Sequence, residues 1–527
     1  MALKRFPIGV QDFAQVRENG YFYVDKTDLV YSLTHSSQFY FLSRPRRFGK
    51  SLLVSTLQCY FEGRKELFAG LAMEKLEKEW NKYPVFKLSF AGNKFDTLNA
   101  LQVSLNNMMR DFESLYGVEN TSGYEWGPRF SDIIKAAYAK TALPPVVLVD
   151  EYDAPLLDSM DNPELQQILK NEMRKLFSPL KDQGGILRFV FLTGISKFSQ
   201  LSIFSELNNL KVITLSDEYA AICGITKEEL LSQMQPEIQS LAVKNKMTYD
   251  EAVAGLQRQY DGYHFSKNSP DIYNPFSLIN SLSDGELINY WFATGTPTIL
   301  TKLIKKFNMD PVELDKGIEA TQDMFDAPTE TASDPVPMLY QSGYLTIKEF
   351  NGYSYMLGFP NNEVRLGFLK ALMPYYAYEN PNQNEAFTLR FTRAMREDRL
   401  DDALKEMRAY ISGIPYNAER IDENHYRTII FLIFSLCTPF VVRAEECCAA
   451  GRADAVVETA TSVYVLEFKL NESGTVDSAL KQIDDKGYLI PYSVKKSADG
   501  TPKNLFKVGV VIDHEKRTLC EWKVVEG

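Results

Sequence analysis

The chain has 527 residues, of which 45% are hydrophobic and 24% charged, with a formal net charge of -11. At roughly 150 residues per domain this is enough for about three or four folded domains. The negative balance excludes a protein coated evenly in nucleic acid, although a local basic groove is compatible with it. No apolar run reaches the roughly 20 residues of a membrane span, and the first residues carry no apolar signal core. The expectation is therefore a cytoplasmic protein without a membrane partner. Cys59, Cys223, Cys437, Cys447, Cys448 and Cys520 show no paired metal spacing and read as reduced thiols.

In the first half, short apolar segments at 38–42, 85–89, 146–149 and 188–193 alternate with helical stretches at 97–116 and 163–180. Strands of this kind are buried on both faces, which predicts a mostly parallel sheet covered by helices. From about residue 226 helices take over, at 227–235 and 249–260. A turn-rich patch follows, Tyr260-Asp261-Gly262-Tyr263-His264-Phe265, and then Tyr273-Asn274-Pro275-Phe276. Residues 344–350 and 353–357 form a β pattern around Asn351-Gly352, a hairpin signal. Residues 380–384, with Pro381 inside, read as a linker. Helices continue to about residue 436, and the end is rich in strands.

The segment Phe41-Leu42-Ser43-Arg44-Pro45-Arg46-Arg47-Phe48-Gly49-Lys50-Ser51 follows a strand and opens a helix, the context of a Walker A phosphate loop. Gly49 lets the backbone approach phosphate, Lys50 reaches the β- and γ-phosphates, and Ser51 ligates Mg²⁺. Arg44 stands where the consensus has its first glycine. Arg46 and Arg47 crowd a helix N-terminus, which is unfavourable unless an anion sits there; a solvated basic patch is the alternative. The apolar run Pro144-Pro145-Val146-Val147-Leu148-Val149 ends in Asp150-Glu151, a Walker B pattern in which Asp150 holds Mg²⁺ and Glu151 polarises the attacking water. Thr193 and Ser196, at the end of the next strand, are candidates for sensing the γ-phosphate, or form a simple turn. Arg46, Arg47 and Lys197 are candidates for stabilising transition-state charge.

Near the C-terminus, Gly451-Arg452-Ala453-Asp454 and Val463-Tyr464-Val465-Leu466-Glu467-Phe468-Lys469 read as two antiparallel strands. Side chains alternate along a strand, so Glu467 and Lys469 share a face that Asp454 can join. Two carboxylates with waters and a phosphate suit Mg²⁺, and a lysine beside them can orient or deprotonate a water for phosphodiester hydrolysis. Glu423, opening a helix upstream, could add a carboxylate, and Gln482 on the following helix could face the same site. His425 reads as structural. The competing reading of Glu467 and Lys469 is a surface salt bridge.

These segments together resemble a bacterial and archaeal family: AAA-ATPase-like proteins with a C-terminal PD-(D/E)XK nuclease-superfamily domain. The resemblance runs almost the whole length, through Pro7-Ile8-Gly9-Val10-Gln11-Asp12-Phe13, Tyr23-Val24-Asp25-Lys26-Thr27, the Arg-Pro-Arg-Arg-Phe-Gly-Lys-Ser string at 44–51, Val149-Asp150-Glu151-Tyr152-Asp153, Tyr260-Asp261-Gly262-Tyr263, Tyr273-Asn274-Pro275 and the Asp454–Glu467–Lys469 set. It makes the missing first glycine a family feature. It implies ATP and Mg²⁺ as cofactors, ATP binding at Gly49, Lys50, Ser51, Asp150 and Glu151, and a nuclease-like site at Asp454, Glu467, Lys469 and Gln482. The implied fold is α/β: a P-loop domain at 1–225, a helical lid at 226–297, a winged-helix-like module at 298–380 and a restriction-endonuclease-like domain at 381–527. The implied partner is nucleic acid, DNA ahead of RNA, with a homo-oligomer open. Two whole-protein readings follow: an ATP-regulated, metal-dependent nuclease, or an ATP switch whose C-terminal domain binds without cutting. For Asp25-Lys26-Thr27 the plain expectation is that Thr27 caps the next helix.

Overall fold

Four of the apolar runs become neighbouring strands of one sheet, and three of them, Phe39–Ser43, Val146–Asp150 and Phe189–Gly194, are buried at every residue between layers of helix. The computed structural model describes residues 4–197, 210–292, 307, 310–329, 334–376, 381–413, 423–436, 441–448, 451–497, 499–513, 515–516 and 518–527. The strands are β1 (Phe39–Ser43), β2 (Val85–Ser89), β3 (Val146–Asp150), β4 (Phe189–Gly194) and the short β5 (Lys211–Val212). Their order is β2-β3-β4-β1-β5, and every pairing is parallel. β4 therefore lies between the strand that leads into the phosphate loop and the strand that ends in Asp150.

Helix Leu98–Tyr116 begins where the Thr97 hydroxyl accepts the Ala100 N–H and ends at Gly117, with φ 72°. Its Leu101, Leu105 and Met109 recur every four residues and bury one stripe against the sheet. The helix expected at 163–180 stops at Phe177, and Pro179 starts a separate turn of helix, because a proline cannot donate to the preceding turn.

The chain divides into two compact units, one of Met1–Gly295 with Gly317–Val364 and one of Thr296–Lys316 with Arg365–Gly527. The first unit holds residues of the expected lid and linker module as well as the parallel sheet. The first unit also contains the antiparallel pair β6 (Ile225–Thr226) and β7 (Ile272–Tyr273), and a three-stranded sheet in the order β8 (Ile318–Ala320), β10 (Tyr355–Gly358), β9 (Thr346–Phe350). The turn between β9 and β10 is held by Asn351, whose Oδ1 accepts the N–H groups of Tyr353 and Ser354 at 3.0 and 2.8 Å. Thr27 is not a cap. Asp25 Oδ1 accepts the Thr27 N–H at 2.9 Å and the Thr27 hydroxyl at 2.7 Å, and its Oδ2 accepts the Ala72 N–H at 2.7 Å, so it ties the starts of two helices together. Lys26 pairs with Glu229 at 2.5 Å.

The second unit carries a mixed sheet in the order β11 (Val441–Cys448), β12 (Gly451–Glu458), β13 (Ser462–Leu470), β14 (Asn504–Asp513), β15 (Thr518–Glu526). Only β13 and β14 run parallel, and helix Val476–Asp485 connects them. Ala453, Val456, Val463, Val465 and Ile483 form the core between that helix and the sheet. The linker expected at 380–384 is instead, from Pro381 onward, the start of helix Pro381–Arg396. Proline is pre-set for a first helical position, where its missing N–H is no loss.

Candidate ATP and nuclease sites

The carboxyl ends of β1, β3 and β4 meet where open α/β sheets place their ligands. The loop after β1 turns into helix Lys50–Phe61 through Gly49, whose φ of 89° is left-handed. Arg47, at φ 68°, shares that region without being glycine. Lys50 is only 7% exposed, and its ammonium donates to the loop's own carbonyls, Arg44 O and Pro45 O, both at 2.9 Å. Burial holds its pKa below the ordinary lysine value, against the pull of Asp153 and Asp150. Ser51 follows, half-buried, in the first turn of the helix. Arg46 and Arg47 are both exposed.

Asp150 ends β3 and is 3% exposed, with Oδ1 lacking a hydrogen-bond partner. A buried carboxylate oxygen without a donor is unfavourable unless a cation or water completes it, and that is what the Mg²⁺ reading needs. Glu151 has φ 54°, and burial, then the charge of Asp150, raises its carboxyl above the usual range. The residues after it explain the bend. The Tyr152 N–H donates to Thr193 O at 3.2 Å and its hydroxyl to Ser196 O at 2.9 Å. Asp153 Oδ2 accepts the N–H groups of Ile195 and Ser196 and the Ser196 hydroxyl at 2.7–2.9 Å. Glu151 is thereby left at the tip of the sheet.

Other candidates are already engaged. The Thr193 hydroxyl donates to Leu42 O at 2.8 Å, tying β4 to β1. Ser196 donates to Asp153. The Lys197 ammonium pairs with Asp326 at 2.6 Å, and its N–H donates to Gln341. Arg44 and Asp153 had no functional role in the sequence reading. Arg44 is buried and donates to Ser43 O, Thr214 O and Tyr219 O at 2.8–3.3 Å. No local signal separates such an arginine from one facing an anion. Asp153 was visible as the last residue of the Asp-Glu-Tyr-Asp string, but its partners lie on another strand.

In the second unit, Ala455 pairs with Leu466 across β12 and β13, and Asp454 Oδ2 accepts the Phe468 N–H at 2.8 Å. Glu467 is 2% exposed, and its Oε2 has no hydrogen-bond partner. Burial and then Asp454 push its carboxyl up to about 7. The Lys469 ammonium donates to Glu467 Oε1 at 3.0 Å and to Gln482 Oε1 at 2.7 Å. Two strands and one helix thus bring together Asp454, Glu467, Lys469 and Gln482. The orphaned Glu467 oxygen beside a second carboxylate fits a divalent cation. Two carboxylates with waters and a phosphate are a pattern that suits Mg²⁺; among the described residues no group of three or more His, Cys, Asp or Glu is placed to hold a metal. The side chains of Glu423, His425, Cys447 and Cys448 lie outside the described residues.

Residues 7–204 match the family described as predicted AAA-ATPase, and residues 421–522 match the PD-(D/E)XK nuclease superfamily. The uncharacterized protein in the vnfD 5′ region of Azotobacter chroococcum mcd 1 is 33% identical over 538 aligned residues, covering 99% of both chains. The chain belongs to the AAA-ATPase-like proteins with a C-terminal PD-(D/E)XK domain. Among solved structures, the Aeropyrum pernix ORC1 protein in complex with DNA aligns with 66% of this chain and 91% of its own, at 11% identity and a TM-score of 0.24. The AAA-ATPase-like domain holds the phosphate loop and the Asp150–Glu151 tip, and the PD-(D/E)XK domain holds the Asp454–Lys469 set. Among the described residues no helix is long and apolar enough to cross a membrane.

Proposed function

We propose that this AAA-ATPase-like protein binds and hydrolyses ATP and cleaves phosphodiester bonds of nucleic acid, DNA ahead of RNA, with Mg²⁺ at both sites. The observation that carries the nuclease half is the Lys469 ammonium held between Glu467 and Gln482, beside a Glu467 oxygen that nothing else satisfies. A lysine kept only as a surface salt bridge would not need a buried carboxylate or a second acceptor on a helix.

At the C-terminal site, Asp454 and Glu467 would hold the cation. When bound, it supplies Lewis acidity at the scissile phosphate and a more acidic water. Gln482 orients Lys469, which as the ammonium positions the attacking water or, as the neutral amine, takes its proton. At the N-terminal site, Lys50 exchanges the Arg44 and Pro45 carbonyls for phosphate oxygens. Ser51 and Asp150 would hold Mg²⁺, and Glu151 orients the attacking water. Its raised pKa makes it a better proton acceptor than an ordinary glutamate. Thr193 remains a γ-phosphate candidate only through its oxygen lone pairs, because its proton is used on Leu42.

A paired assay tests both halves: ATP turnover and cleavage of a DNA and RNA panel, with Mg²⁺ or Mn²⁺, for wild type, Lys50→Ala and Asp454→Ala. The expected result is loss of ATP turnover only in Lys50→Ala, and loss of metal-dependent cleavage in Asp454→Ala. ATP binding by the wild type with no cleavage of any substrate would favour the non-cutting switch, whose C-terminal domain binds nucleic acid or a partner.

A further inference from the structure

Each residue of the phosphate loop from Arg44 to Phe48 rests on a residue far along the chain. The Arg44 guanidinium lies over the Phe265 ring, 4.1 Å from its centroid. Pro45 packs on Gly343, where a Cβ would come within 2.5 Å of the proline ring. Arg46 O accepts the Trp291 indole N–H at 3.2 Å. The Arg47 guanidinium lies over Phe276 at 4.7 Å. Phe48 meets Tyr263 edge-on at 4.7 Å and Phe265 at 5.3 Å.

The loop needs such support. Arg47 is held at φ 68°, a region that non-glycine residues seldom occupy. The supporting segment is itself fixed. Tyr263 and Ile272 exchange backbone hydrogen bonds at 2.8 and 3.3 Å. Asn274 Oδ1 accepts the Ser277 N–H and caps helix Pro275–Asp284. The Trp291 ring packs on Tyr344 at 5.2 Å. The aromatic partners of Arg44, Arg47 and Phe48 all fall in the two motifs at 260–265 and 273–276, for which the proposed chemistry has no other use.

We propose that these two motifs and Trp291 form a receptor that sets the shape of the phosphate loop, so that Tyr263, Phe265, Phe276 and Trp291 are positioning residues for the triphosphate. This rests on the ATP reading of the loop. Its consequence is that nucleotide binding is felt at Trp291, because any change at the Arg46 carbonyl alters the hydrogen bond to the indole.

The test uses the full chain, ATP with Mg²⁺, calorimetry, and tryptophan fluorescence. Trp291→Phe keeps a ring against Tyr344 but removes the donor to Arg46. Phe276→Leu removes the face under Arg47. Each is expected to raise the ATP dissociation constant and KM about 2- to 10-fold, with kcat and the melting temperature unchanged. A purely structural role would instead lower the melting temperature and leave the affinity of the folded fraction alone, and that pattern overturns the proposal. ATP should change the wild-type fluorescence, and Trp291→Phe should abolish that change although Trp80, Trp126 and Trp522 remain. If wild type binds ATP and Lys50→Ala does not, yet both receptor variants bind like wild type and the fluorescence change survives in Trp291→Phe, the receptor is refuted and the ATP reading stands. If wild type binds no ATP, or Lys50→Ala binds equally well, the ATP reading falls and the receptor with it.

Discussion

Gly194 leaves the space that the Asp153 carboxylate fills: a Cβ there would run into Asp153 Oδ1. Asp153 Oδ2 is the common acceptor for Ile195 and Ser196, so the tip of β4 is clamped to the turn that carries Glu151. Gly194→Ala is therefore expected to displace the carboxylate, to destabilise the AAA-ATPase-like domain by about 1–3 kcal/mol as an overpacked site, and to lower ATP turnover more than ATP affinity. Denaturant unfolding and steady-state kinetics read the two effects. Wild-type stability together with wild-type kcat would show that the clamp does not matter.

Asp150 presents the opposite case, a buried charge that the fold does not satisfy. Its Oδ1 has no donor, which under the proposed Mg²⁺ reading a cation would complete. Asp150→Asn removes the charge and keeps the shape. The expected outcome is a gain of about 1 kcal/mol in the absence of nucleotide and metal, with ATP hydrolysis reduced at least ~100-fold. Thermal melts with and without Mg²⁺-ATP decide it, since the added ligand should stabilise wild type far more than the variant. An equal response in both would remove Asp150 from the metal site.

The sequence was most legible where physics is local. Strands β1, β3 and β4 stand out as apolar runs bounded by turns, because burial on both faces leaves no room for alternation, whereas β2 at the sheet edge alternates buried and half-buried residues. The Glu467–Lys469 face follows from strand alternation alone. What stayed hidden depends on distant partners. β5 is two exposed residues, Lys211 and Val212, with no apolar signal. Arg44 stands out in the sequence only as a missing glycine, and its place among the carbonyls of Ser43, Thr214 and Tyr219 appears only in the folded chain. The aromatic motifs at 260–276 read as turns, and only the folded chain brings Phe265 under Arg44 and Phe276 under Arg47. Pro381 reads as a breaker because the same residue that stops a helix also starts one.

Lys469 has two acceptors, and they predict different losses. Lys469→Met removes the group that positions the water, while Asp454 and Glu467 remain to bind the cation. Cleavage is expected to fall by about 100- to 10,000-fold, with Mg²⁺ binding by calorimetry preserved. Gln482→Ala leaves the ammonium on Glu467 and frees its other contact, for a loss of about tenfold. A Lys469→Met protein that cuts as fast as wild type would assign proton transfer elsewhere.

Glu363 connects stability to pH. It is 1% exposed and accepts the Trp291 N–H at 2.7 Å. Burial raises its carboxyl to about 7, against hydrogen bonds from Ser277 and from the backbone of Trp291 and Tyr290. The sign follows from the direction of that shift. Below the ordinary glutamate value of about 4.3 the group is protonated whether folded or unfolded, and it contributes no pH dependence. Between there and about 7 only the unfolded chain ionises, which favours unfolding. Above about 7 the full penalty is present, roughly 3 kcal/mol. Glu363→Gln keeps an oxygen for the Trp291 N–H and cannot ionise. The variant should match wild type in melting temperature near pH 4.5 and exceed it increasingly up to about pH 8. A wild-type advantage that grows with pH would mean that Glu363 is ionised in the fold and held by a cationic partner, which its backbone and hydroxyl contacts do not provide.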